Sequence, residues 1–517
     1  MASLCDLPSL RATIRLGGQT KPELNSSETC QASTALPPLT SKATVFDVEF
    51  YPYTLPGLDP VFAVCGGPHL IVCRCVLENN RTIEILYWYE NEEHETPDGQ
   101  PICYNSLTWS QAENGDPLLC VAGDATHQIK VFNIAKKELV ATLIGHGDCI
   151  NDLAVSPINP TILASCSIDH TVRIWSLDPA HKKQPLAAIC FGQGHKDQVL
   201  TIAYHPKGRF ILSAGVDTKI NMWQVPNDLS EHVGTDKPAL IHYPHFTTTE
   251  VHTDFVDCIQ WYNDLIFSHA CREDKIIMWK IDGFSSDSEQ IPHAPIPTSI
   301  AISSKTPVTI PANSTSNTRS AWGGRFQRLL QFELPYTNNF YMRFSIFHEL
   351  GHHPILVAGN EKSKAFFWDL QRLEGAGTGD DWIQSSKAIP LGLPRHVREE
   401  STFSNASSVT STGSGTTRRK RKTKKKYQEP KRNRGIGDPF TSIKADKIIE
   451  VPKYNFPFRH FGWSRCGQWV VGVGDSGLIN VFYREPPSII TDYGVALPIR
   501  QDIKTQDDDQ KFITQSA

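Results

Sequence analysis

GHGDCINDLAVSPINPTILASCSIDHTVRIW, residues 145–175, is followed after a short interval by GHKDQVLTIAYHPKGRFILSAGVDTKINMW, residues 194–223. The second stretch reads as a copy of the first. Each runs from a Gly-His pair through two apolar, alternating segments to a Trp. A hydroxyl residue sits in the middle segment of each (Ser165, Ser213), and an aspartate in the turn after it (Asp169, Asp217). Alternation over such short segments between turn residues is the pattern of a strand. Self-similarity at a fixed period means a repeat architecture, in which each unit buries its apolar face only against its neighbours.

The interval from His146 to Trp175 matches that from His195 to Trp223 to within a single position. That spacing resembles the WD repeat, whose unit is a four-stranded blade of a β-propeller. The resemblance puts His146, Ser165, Asp169 and Trp175 into one buried hydrogen-bonded chain, and His195, Ser213, Asp217 and Trp223 into another. Buried polar groups need such partners, so these residues are expected to hold the fold rather than to catalyse. Weaker copies end at Trp279, Trp368 and Phe482, and two upstream at Phe132 and Cys75. The fold expected is all-β, a seven-bladed WD-repeat β-propeller over residues 41–490. Disordered tails are expected at 1–40 and 491–517. Ser-, Thr-, Pro- and charge-rich inserts at 284–325 and 376–445 are expected to be disordered too.

Composition narrows the function classes. The chain has 51 basic and 55 acidic side chains, so overall charge predicts no nucleic-acid or membrane partner. Its first residues, MASLCDLPSLRATIRLGG, lack the apolar core of a signal peptide, and no membrane-spanning run occurs. The 13 cysteines include one close pair, Cys73 and Cys75, without the CxxC spacing of a zinc or redox site. Buried free thiols are expected. HELGH, residues 348–352, matches a zinc-protease pattern, but that motif works only on a helix, and Gly351 and Pro354 predict a turn. No phosphate loop or GxSxG elbow occurs, and the reading is of no enzyme, no cofactor and no metal. RRKRKTKKK, residues 418–426, opens a basic run extending to 434. Inside a Ser- and Gly-rich segment it predicts nuclear import or weak, nonspecific nucleic-acid contact, hence a nuclear protein.

One further stretch resists a purely structural reading. NNFYMRFS, residues 338–345, sets Phe340 beside Tyr341. Successive side chains on a strand point to opposite faces, so both rings cannot enter one core from within a strand. Phe46 and Tyr104 occupy other blade entries, and blade entries converge on one end of a propeller's central channel. Rings gathered there would offer π faces to a quaternary ammonium ion.

NFYMRFS, the two GH…W repeats, PLLCVAG and VDCIQW…DLI together resemble the Polycomb WD-repeat family of extra sex combs and embryonic ectoderm development proteins. The resemblance covers roughly residues 45–375 and 450–485. It implies a noncatalytic subunit of Polycomb repressive complex two that reads trimethyl-lysine on the histone H3 tail through an aromatic cage and stimulates the methyltransferase for gene silencing. The partners implied are an Enhancer-of-zeste type methyltransferase and a Suppressor-of-zeste type subunit. By motif, the cage falls on Phe46, Tyr104, Tyr341 and Phe340, which stands where the family usually has Trp; Arg459 matches an arginine near the peptide. Tyr104 lies five residues before Trp109 rather than the family's four, leaving Asn105 in the aligned place unless a bulge absorbs the slip. The rival reading is a generic WD-repeat scaffold, such as a ubiquitin-ligase substrate receptor.

Overall fold

The alternating apolar runs form strands throughout, and the computed structural model describes residues 7–16, 44–77, 81–91, 99, 102–123, 126–296, 317–374 and 438–485. Seven sheets, antiparallel through their principal strands, follow one another along the chain. Their principal strands span 47–90 (blade 1), 104–144 (blade 2), 150–190 (blade 3), 199–248 (blade 4), 256–333 (blade 5), 345–450 (blade 6) and 458–483 (blade 7). The innermost strand of each blade packs against those of the blades before and after, and that of blade 7 packs against blade 1. This closes a ring, the seven-bladed propeller expected from the repeats.

The second and third strands of the blades, such as Val61–Gly66 and Phe210–Gly215, are buried on both faces because each blade is sandwiched between two others. The core is therefore seven separate clusters, one at each blade-to-blade interface. Trp175, for example, packs with Leu118, Ile129 and Leu153 between blades 2 and 3. Its counterpart Trp223 packs with Ala164, Ile174 and Val199 between blades 3 and 4.

Three expectations about tails and inserts need correction. Residues Ser9–Arg15, expected in a disordered tail, form a strand antiparallel to Leu478–Tyr483 and complete blade 7. The reason is visible in SLRATIR, whose Leu10, Ala12 and Ile14 alternate with polar residues as a strand requires. The ends of the 284–325 insert are also built into the fold. Phe284, Ile291 and Trp322 pack on the cluster between blades 4 and 5, and Arg319–Ser320 pairs with Phe246–Thr248 of blade 4. The end of the 376–445 insert adds Ser442–Ile443 as a parallel strand beside blade 5. The basic run 418–434 and the tail 491–517 lie outside the described residues.

In five blades the innermost strand slips register by one residue near its start. The skipped residues are Asn105, Asn151, Leu200, Asp257 and Arg459. A bulge of this kind re-aims a side chain that would otherwise follow the pleat. It recurs here where the inner strands begin, which is where the candidate site lies.

Candidate functional site

The two expected hydrogen-bonded chains are formed. His146 Nδ1 meets Asp169 at 2.8 Å and its Nε2 meets Ser165 Oγ at 2.7 Å, while Trp175 Nε1 donates to the same hydroxyl at 2.8 Å. In the next blade the distances are 3.0, 2.8 and 2.9 Å for His195, Asp217, Ser213 and Trp223. The sequence reading missed a third. His252 bridges Glu273 at 2.8 Å and Ser268 at 2.7 Å, and Trp279 Nε1 donates to Ser268 at 2.9 Å. Glu replaces the usual Asp and Val251 the usual Gly, but the interval from His252 to Trp279 was the available signal.

Burial opposes ionisation of Asp169, Asp217 and Glu273, yet hydrogen bonds and charge from the paired histidines outweigh it and hold all three below the usual carboxylate range. A depressed carboxylate contributes stability that is present above its unfolded pKa, near 4, and is lost as pH falls through the lower folded value. Asp169→Ala, Asp217→Ala and Glu273→Ala should each destabilise by about 1–3 kcal/mol in thermal unfolding at pH 7, because each strands a buried His. Their deficits should shrink below pH 4. Unchanged melting would show that these chains do not hold the blades.

NNFYMRFS is a loop pinned at nearly every residue. Cys271 Sγ donates to Asn338 O, Asn339 N–H to Glu361 at 2.7 Å, and Arg459 Nη1 to Phe340 O at 2.8 Å. Met342 N–H reaches Asp257, and Arg343 N–H donates to Arg459 O at 2.7 Å. Between these ties Tyr341 adopts φ 58°, the left-handed region that a bulky residue enters only when its surroundings demand it. Phe340 and Tyr341 centroids lie 5.2 Å apart, and Phe46 meets Tyr341 edge-on at 6.4 Å. Phe340 is 54% exposed, and the other two are half-buried.

Tyr104 is not among them. Its side chain is 1% exposed and packs with Ala63, Leu70, Leu107 and Val121 in the cluster between blades 1 and 2. The bulge that was needed to bring it to the cage is present, but it skips Asn105, leaving Tyr104 directed into the interface. Arg459 is placed beside the rings. Its guanidinium pairs bidentately with Asp475 at 2.7 and 3.0 Å and stands 5.8 Å from the centre of the Phe46 ring. It ties the blade 6 loop to blade 7.

Beneath the rings lies a feature the sequence reading did not single out. Arg343 is buried and reaches from blade 6 across to Asp152 of blade 3 at 2.9 Å, with Asp47 of blade 1 at 3.9 Å. It also donates to the Asn151 carbonyl at 3.1 Å, and its Cζ sits 5.4 Å from the Tyr341 ring centre. Burial would lower its pKa, but the two carboxylates hold it well above the ordinary guanidinium value. Burial likewise opposes ionisation of Asp47; His460, at 2.6 Å, and Arg343 outweigh it and bring the carboxyl down to about 2.

HELGH forms a turn, with Gly351 at φ 81°. Its two histidines part company: His348 lies tilted against Tyr262 at 4.6 Å, and His352 lies edge-on to Phe347 at 5.6 Å.

A model of the WD domain, G-beta repeat, matches residues 137–176 and 187–224. Polycomb protein EED of Chaetomium thermophilum is 43% identical over 341 residues, covering 64% of this chain and 57% of that protein. The match thus spans little more than half the length of that relative. Polycomb protein esc of Drosophila melanogaster is 27% identical over 367 residues, 67% of this chain and 75% of that one. The crystal structure of the Chaetomium thermophilum polycomb repressive complex 2 contains a chain similar at TM-score 0.69 and 30% identity, with 93% of this chain and 98% of that chain covered. The same complex with H3K27me3 gives TM-score 0.69 at 32% identity and the same coverage.

Proposed function

Because this chain belongs to the Polycomb WD-repeat family that includes EED and esc, we propose that it is the noncatalytic subunit of a Polycomb repressive complex 2 type histone methyltransferase, reading trimethyl-lysine on the histone H3 tail. It works in the nucleus on chromatin, beside an Enhancer-of-zeste type methyltransferase and a Suppressor-of-zeste type subunit. The observation that carries the reading is that Phe46 of blade 1 and Phe340 of the blade 6 loop both lie against Tyr341. A relative in this family is seen in complex with H3K27me3.

A trimethylammonium group cannot donate a hydrogen bond, so its recognition rests on cation–π attraction and on fit. Three rings supply this, each contributing about 0.5–2 kcal/mol, and ordering a short tail offsets part of the gain. The affinity expected is modest, roughly micromolar to millimolar. The pinned backbone of 338–344 means that the rings are set before the peptide arrives, which limits the ordering cost to the peptide itself.

Tyr341→Ala tests this directly. Both residues bear the left-handed conformation at comparable cost, so the fold should survive and only the ring is lost. Binding of a trimethyl-lysine H3 peptide should weaken about tenfold or more in calorimetric titration. The unmethylated peptide should bind wild type far more weakly than the trimethylated one. A wild type that does not distinguish the two, or a Tyr341→Ala protein that binds like wild type, would sink the reading.

A further inference from the structure

We propose that the buried carboxylates of Asp47 and Asp152, lying under the rings, set the charge selectivity of the site; this rests on the methyl-lysine reading above. Arg343 is the reason they are needed. Its guanidinium stands 5.4 Å from the Tyr341 ring centre, so a positive charge already occupies the inner side of the ring that a methylated lysine would approach from outside. Alone, that charge would repel the ligand through a medium of low polarity.

Asp152 at 2.9 Å and Asp47 at 3.9 Å reverse the sign. Other charged and titratable groups around Arg343 and the loop include His460 on Asp47, Asp257 with His269 at 2.7 Å, Glu361 on Asn339 N–H at 2.7 Å, Cys258, and Glu49 on blade 1. Glu49 is pushed up to about 8 by desolvation and by Asp47, so it stays largely protonated at neutral pH and adds little charge. The Arg459–Asp475 pair is self-balanced. Two buried carboxylates, Asp152 and Asp47, thus face one guanidinium and outnumber it beneath the rings. The rings then present π faces outward over an anionic base, a combination that favours a cation over an uncharged group of the same shape.

The test separates charge from shape. Two H3 peptides are compared, one with trimethyl-lysine and one with its uncharged isostere, in which carbon replaces the quaternary nitrogen. Wild type should prefer the cation by roughly thirtyfold or more. Asp47→Asn keeps an oxygen to accept from Leu107 N–H and should cut that preference by about five- to tenfold, leaving affinity for the neutral isostere within about twofold. Asp152→Asn carries the same expectation should Asp47→Asn not fold. An unchanged preference in a folded variant overturns the proposal, as does a wild type that binds both peptides equally. A wild type that binds neither peptide would instead count against the methyl-lysine reading itself.

Discussion

Deleting residues 1–16 should open the propeller at blade 7. The strand Ser9–Arg15 is the outer strand of that blade, and it comes from the far end of the chain, so it fastens the first blade to the last. Leu16 is buried with Val45, Val48 and Ile479, while Leu10 and Ile14 pack on the flanking clusters. Thr13 donates to Asn480 at 3.0 Å, and Leu16 N–H to Gly477 O at 2.9 Å. Burial of these side chains contributes about 3–5 kcal/mol, partly offset by the entropy of ordering the segment. The loss also bares the edge of Leu478–Tyr483, a run of apolar residues ready to pair with another chain. The truncated protein should melt roughly 10 °C lower, lose amide protection first in 478–483 and 469–474, and associate at high concentration. Protection in those strands equal to that of the full chain would show that the ring closes without the N-terminal strand.

How much of this was legible beforehand differs between fold and site. The repeats announced themselves because two copies kept all four members, His, Ser, Asp and Trp, of the buried chain. The third chain escaped notice because Glu273 reaches from a turn with one more methylene than Asp, so the pattern changes while the hydrogen bonds do not. SLRATIR was legible as a strand by alternation, but its partner Leu478–Tyr483 lies near the other end of the chain, and nothing local says which edge it will join. At the site, the adjacent rings of Phe340 and Tyr341 pointed beyond a core because no strand accommodates both. Tyr104 could reach the site only if a bulge absorbed its one-residue slip; the bulge forms, but the ring packs in the blade interface, and where a bulge aims a side chain leaves little trace in sequence. Arg343 and its carboxylates were hidden for a related reason. Asp47, Asp152 and Arg343 belong to blades 1, 3 and 6, far apart along the chain, and become a cluster only when the ring closes.

Arg343→Met should be among the most destabilising single substitutions in the chain. Met fills much of the volume of the arginine stem, so little cavity is left, and the effect isolates the lost charge. Asp152 and Asp47 would remain buried without the guanidinium that Asp152 bonds at 2.9 Å, and the Asn151 carbonyl would lose its donor. Breaking a buried ion pair by removing one partner costs about 3–5 kcal/mol, far more than the intact pair contributes over an apolar replacement. Two consequences distinguish this from ordinary loss of packing. Without Arg343 the carboxyl pKa values in the folded state should rise above the unfolded value of about 3.9, so the variant should recover stability relative to wild type as pH is lowered from 7 towards 4. Adding Asp152→Asn and Asp47→Asn to Arg343→Met should restore part of the loss, because the stranded charges are gone; the three effects would then be strongly non-additive. Denaturant titrations of the single and triple variants at pH 7 and pH 5 make the comparison. A single-variant loss below about 1 kcal/mol, or losses that simply add, would mean that the arginine spans the channel without holding it together.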